Sequence, residues 1–169
     1  MTASVLVAYG TRHGSTAEVA AAVSDELRAS GLEVELLPAG SVEVVAGHDG
    51  VVLGGALYMG RLHPDVRGLL AEFREDLSRV PVAVFAMGPK TVEQHDLDES
   101  RGQLDAALAK TPEVVPFSVA IFGGVVDPKV LHFPFNRMPA SDARDWEVIR
   151  AWAAQIAPTF AVKEVPAHV

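Results

Sequence analysis

The sequence predicts an α/β domain with three layers, a doubly wound, five-stranded parallel sheet between helices. Two observations predict it. Five short runs rich in β-branched residues are separated by longer stretches of helical periodicity. Most of those runs are continuously apolar rather than alternating, which suits strands covered on both faces.

The first run, Ser4–Tyr9, leads directly into a helical pattern over Thr16–Ser30, where Val19, Val23 and Leu27 recur at four-residue spacing with Ala20 beside them. Ser15 and Glu18 have capping-box spacing at its start, and Gly31 is placed to end it. Glu33–Leu37 is the second strand, followed by a short, weakly helical connection over Ser41–Ala46 and a third strand, Gly50–Gly55. The next helix opens at Pro64 and Asp65, with Val66, Leu69, Leu70, Phe73 and Leu77 as its buried stripe. Val80–Ala86 is the fourth strand. A helix over Asp98–Lys110 carries Leu104, Ala107 and Leu108, and Val114–Phe122 is the fifth strand. The last helix starts near Ser141 or Asp142, buries Ile149, Trp152, Ala153 and Ile156, and stops at Pro158. Right-handed crossovers make this one doubly wound domain over residues 1–160, with a frayed tail over 161–169.

Composition narrows the function. Apolar residues make up 49% and charged residues 21%, an ordinary globular balance. A formal charge of −8 disfavours nucleic-acid partners. The chain has no cysteine, so disulfides, thiolate metal sites and cysteine nucleophiles are excluded on the protein side. No pair of histidines or carboxylates has metal-ligand spacing, so no metal is expected. The opening Met1-Thr2-Ala3-Ser4 lacks the basic region of a secretory signal, and no apolar stretch is long enough to span a membrane. A cytoplasmic location is expected, with peripheral membrane contact left open.

In doubly wound sheets, ligands bind beyond the carboxyl ends of the strands where strand order reverses. The loops at that edge are Gly10–Ser15, Ala56–His63 and Met87–His95. The first, Thr11-Arg12-His13-Gly14-Ser15-Thr16, joins a buried strand to an amphipathic helix. It supplies three hydroxyls, a glycine and the unpaired N–H groups of a helix start, and no acidic residue stands between Tyr9 and Ala17. An ordinary polar turn with a helix cap would read similarly; the missing acids favour an anion site. The P-loop and Gly-x-Gly-x-x-Gly signatures are absent. So are the acidic residues of a phosphoacceptor receiver domain, whose places hold Gly10-Thr11 and Gly54-Gly55-Ala56.

Thr11-x-x-Gly14-x-Thr16 resembles the FMN phosphate loop of flavodoxins, with His13 in place of the central threonine. The flavodoxin-like strand and helix order, with sheet order 2-1-3-4-5, runs from Val5 to about Ala157. Within that superfamily, Val51-Val52-Leu53-Gly54-Gly55-Ala56-Leu57-Tyr58-Met59-Gly60-Arg61-Leu62-His63 and Asp145-Trp146-Glu147 are similar to segments of the bacterial menaquinone-dependent protoporphyrinogen dehydrogenases. The resemblance implies FMN as cofactor. It places Ala56, Leu57, Tyr58, Met59 and Gly60 along the flavin ring, Met87, Gly88 and Pro89 at its other side, and Gly123 and Gly124 nearby. It implies an oxidoreductase acting with a quinone or a porphyrin-like substrate, or else a carrier serving a redox partner protein; a flavin-free binding module is the reading from another class. A homodimer is a further expectation.

Two departures stand out. Against the dehydrogenases, the stretch Gly123–Ala140 is short and has only Lys129 and Arg137 as basic residues; against carriers of the flavodoxin type, Met87–His95 contains no aromatic. Tyr58 is then the residue to stack on a flavin. Arg12 either lends charge to the phosphate or extends into solvent; His13, His63 and Lys90 read as solvated loop or helix-start residues. The apolar stretch Val130–Met138 either folds onto the sheet edge or forms an exposed patch.

Overall fold

A computed structural model describes residues 2–89, 91–130, 133 and 135–162. The strands are β1 (Ser4–Gly10), β2 (Glu33–Pro38), β3 (Gly50–Tyr58), β4 (Arg61–Leu62), β5 (Val82–Met87), β6 (Ser118–Phe122), β7 (Val125–Val126) and β8 (Ser141–Asp142). The helices are α1 (Ser15–Ala29), α2 (Pro64–Glu72), α3 (Arg74–Leu77), α4 (Gln94–Leu108) and α5 (Trp146–Ala161).

The parallel strands lie in the order β2-β1-β3-β5-β6, which is the expected 2-1-3-4-5 once the short β4, antiparallel to β3, is set aside. Alternation along each strand builds two cores. Val5, Val7, Phe85 and Met87 face α1 and α5, meeting Val19, Val23, Leu27, Ile149, Trp152 and Ile156. Leu6, Ala8, Val82 and Val84 face the other way, under Val66, Leu69, Leu70, Leu77 and Leu104 of α2, α3 and α4. Burial on both faces is why the strands lack polar alternation.

Several boundaries differ from expectation. The capping box at the start of α1 does not form: Gly14 is the N-cap, at φ 95 with no side-chain cap, and Glu18 turns to another partner described below. The end of α1 is as expected. Gly31, at φ 92, lets the Leu32 and Gly31 amides donate to the Leu27 and Arg28 carbonyls. The Ser41–Ala46 connection is only a 3-10 turn at Ala39–Ser41. α4 starts at Gln94, four residues before Asp98, because its first turn is polar and solvent-facing and leaves no apolar periodicity to read. β6 starts at Ser118, not Val114, since Pro116 has no N–H for the ladder.

The C-terminal helix starts at Trp146; Ser141 and Asp142 instead pair with β7, and Asp145 caps the helix by accepting from the Glu147 and Val148 amides. α5 also continues through Pro158 to Ala161. Phe160 explains the extension. It is 1% exposed, stacks edge-on against Phe117 at 5.3 Å, and occupies the space a side chain at Gly50 would need. Of the expected frayed tail, residues 163–169 lie outside the described residues. Among the described residues, no helix is long and apolar enough to cross a membrane.

Candidate functional site

Register brings the predicted loops to one edge. Gly10 pairs with Gly55, Ala56 with Met87, and Met87 with Phe122, so β1, β3, β5 and β6 end in a row. Above that row lies a cavity of about 570 Å³, within the ~300–1,000 Å³ typical of small-molecule sites. It gathers Arg12, His13, Ser15 and Thr16 from the first loop with Ala56, Leu57, Tyr58 and Met59 from the second. Met87, Gly88 and Gly124 complete the predicted part of the wall.

The entry to α1 has the features an anion needs. The first helical bond runs from the Glu18 amide to the Gly14 carbonyl, so the Ser15, Thr16 and Ala17 amides precede the ladder and point along the axis without helical partners. The Thr16 side chain is fully buried, and its Oγ1 is the buried side-chain polar atom that has no hydrogen-bond partner among the described residues. A buried hydroxyl with nothing to bond is unusual, and in a residue that lines the cavity it fits a ligand oxygen. Thr11 Oγ1 accepts from the Gly14 amide at 2.8 Å, which shapes the loop and leaves its own hydrogen as a donor.

Five predicted residues are not on the cavity wall. Thr11 and Gly14 shape the loop behind it. Gly60, at φ 77, completes with Met59, at φ 52, the turn between β3 and β4. Pro89 is buried and its carbonyl accepts from Gly124. Gly123 lies against the Ala143 carbonyl, where an added Cβ would come within 2.1 Å of that oxygen. Arg12 is exposed, and its guanidinium sits 3.9 Å from the centroid of Tyr58, covering one face of that ring. His63 is the N-cap of α2, its Nδ1 accepting from the Asp65 amide at 3.1 Å. Lys90 lies outside the described residues.

The remaining wall comes from the segment after β6. Val125, Val126, Asp127, Val130 and Met138 line the cavity, while Phe133 is 71% exposed with Arg137 5.2 Å from its ring centroid. Leu131, His132 and Pro134 lie outside the described residues. Glu18 and Arg144 also line the cavity; 126 positions apart, they form a pair that no local pattern announces. Arg144 grips Asp142 with Nε and Nη2 at 3.0 and 2.8 Å, and this pairing raises the guanidinium's pKa above its usual value and lowers that of the Asp142 carboxyl.

Comparisons with known proteins agree with the fold. A family profile described as flavodoxin domain matches residues 6–138. The chain belongs to the flavodoxin-domain family. No curated protein matches it in sequence. Its fold is similar to a flavodoxin from Pseudomonas aeruginosa, solved as a cysteine-to-serine mutant, at TM-score 0.61 and 18% identity over 93% of this chain and 98% of that one. It is similar also to the flavodoxin of Streptococcus pneumoniae TIGR4 at TM-score 0.58 and 18% identity, over 94% and 98%. A flavodiiron protein from Giardia intestinalis aligns at TM-score 0.62 and 15% identity, over 93% of this chain but 36% of that one.

Membership in the flavodoxin-domain family implies FMN as the cofactor. The residues present fit it. A phosphate would meet an unpartnered buried hydroxyl and a helix start, and a flat ring system would meet Leu57, Tyr58, Met59 and the glycines Gly88 and Gly124, which admit close backbone approach. In a flavodoxin domain so built, the protein's share of the chemistry is to anchor, orient and exclude water. The exposed start of α4 also gathers His95, Asp96 and Glu99 with ligand atoms within 4.8 Å of one another, a solvated grouping of a kind common without a metal.

Proposed function

We propose that this flavodoxin-domain protein is an FMN-dependent oxidoreductase whose substrate is a small, largely apolar molecule of the quinone or porphyrin-like kind. The observation that carries the proposal is the extra apolar wall. Val125, Val126, Val130 and Met138 add an aliphatic wall, from the segment after β6, to the cavity that Met59 also lines. FMN, when bound, supplies transfer of one or two electrons. Thr16 and the amides of Ser15, Thr16 and Ala17 bind the phosphate. Leu57, Tyr58 and Met59 border the ring on one side and Met87 and Gly88 on the other. The resemblance to the menaquinone-dependent protoporphyrinogen dehydrogenases supports the same substrate class. A cysteine-free, acidic chain suits a cytoplasmic setting.

The second reading is a carrier that passes electrons to a protein partner. What favours it is the exposure of Tyr58 and Met59, 37% and 72%, at the rim where another protein could approach. Purified protein should be yellow and release FMN on denaturation. The reduced protein, mixed anaerobically with a short-chain quinone, should reoxidise at a rate that saturates with quinone concentration. Rates that stay linear for quinones and porphyrins alike, with fast transfer to a redox protein, would establish the carrier instead. A colourless protein without affinity for FMN would end both readings.

A further inference from the structure

Arg144 is a cation at the cavity that the phosphate-loop reading does not use. Its side chain is 10% exposed and lines the same cavity as Ser15 and Thr16. Nη1 donates to Glu18 Oε2 at 3.1 Å and stands 3.5 Å from the Ser15 carbonyl oxygen, which sets the guanidinium at the opening turn of α1. Asp142 holds Nε and Nη2 from behind and is not on the cavity wall, and Trp146 fixes the guanidinium plane at 4.8 Å. These contacts use four of the five N–H donors of an arginine, and the last, on Nη2, is not engaged among the described residues.

Charge at this point decides what the cavity prefers. Glu18 lies in the first turn of α1 and lines the cavity. On its own a carboxylate there interacts well with the helix dipole, but beside a phosphate at the same helix end it is a like charge and repels. A guanidinium held against Glu18 cancels that repulsion. It is also the group best suited to meet a phosphate oxygen with a remaining N–H.

We infer that Arg144 is a specificity-determining residue: it neutralises Glu18 and presents cationic charge at the start of α1, so that the site prefers the phosphorylated flavin FMN to phosphate-free riboflavin. The inference rests on the FMN reading above. It differs from a role in holding the wall, because a wall serves both flavins and a charge serves only one.

The test titrates flavin-free protein with FMN and, separately, with riboflavin, following the quenching of flavin fluorescence. Arg144→Gln should weaken FMN binding about tenfold more than riboflavin binding. Arg144→Lys should restore part of the difference, having the charge without the fork. Glu18→Gln should shift preference further toward FMN by about twofold to threefold, a small change because Glu18 is 65% exposed, and both shifts should shrink in about 0.5 M salt. Equal losses for the two flavins in Arg144→Gln would overturn the inference and leave Arg144 as a strut. Should that variant fail to fold, Glu18→Gln, on the helix surface, decides alone: an unchanged FMN-to-riboflavin ratio overturns the inference. Wild-type protein that binds neither flavin would defeat the FMN reading itself, a result distinct from unselective binding of both.

Discussion

Replacing Thr16 with valine tests whether its hydroxyl is reserved for a ligand. The side chain is fully buried and Oγ1 has no partner among the described residues, so in the flavin-free protein the hydroxyl is desolvated with nothing in return. An unsatisfied buried polar group costs about 1–3 kcal/mol. Valine keeps the branched shape and removes that cost, so flavin-free Thr16→Val should be more stable than wild type by about 1 kcal/mol, a rise of about 2–4 °C in melting temperature for a chain of this size. The same change removes a hydrogen bond to a charged phosphate, which contributes about 1.5–3 kcal/mol, so FMN affinity should fall by about 10- to 150-fold. Stability and affinity move in opposite directions. Thermal melts of the flavin-free protein and fluorescence titration with FMN measure the two halves. A variant less stable than wild type, with FMN affinity intact, would show that the hydroxyl has a partner within the protein and that the phosphate lies elsewhere.

Three further outcomes are expected. Gly123→Ala should lower stability by about 1–3 kcal/mol in urea titration, because the added Cβ meets the Ala143 backbone at 2.1 Å and a carbonyl cannot rotate away as a side chain can. Gly102→Ala, inside α4 with nothing within 4 Å of the new methyl, should raise stability by about 0.5–1 kcal/mol in the same titration and leave FMN affinity unchanged. Asp142 is held below its ordinary 3.8 by Arg144, so its contribution is complete above that value and lost as pH falls through the lower folded value. Asp142→Asn should therefore be less stable than wild type near neutrality, by under about 1 kcal/mol for a pair whose carboxylate is half-exposed, and the two proteins should converge in denaturant titrations as pH falls through the lowered folded value.

Much of this was legible in the chain. Runs such as Ser4–Tyr9 and Val80–Ala86 are apolar on both faces, and only a sheet covered by helices on both sides explains them. The candidate anion loop at 11–16 was readable because its features are local: strand, hydroxyls, glycine and helix start are consecutive. What escaped depends on distance. Ser15 and Glu18 have the spacing of a cap, but Gly14 enters α1 through the left-handed region and Glu18 is taken by Arg144. Ser141 and Asp142 look like the start of a helix until β7, which they pair with, is in place. Pro158 looks like a stop, yet Phe160 gains enough from the space beside Gly50 to carry α5 past it. A signal for Arg144 did exist. An arginine in the short loop that enters the last helix stands at the same end of the sheet as the first loop, once the parallel order is accepted.

The site draws on segments far apart in the chain. The loop at 11–16 leaves the ribosome well before α5, but the apolar face of α1 is covered by α5, and Arg144 ties the entry of α5 to the entry of α1. A growing chain therefore displays its phosphate loop long before anything holds that loop still. Flavin uptake should therefore wait for α5 to dock against α1.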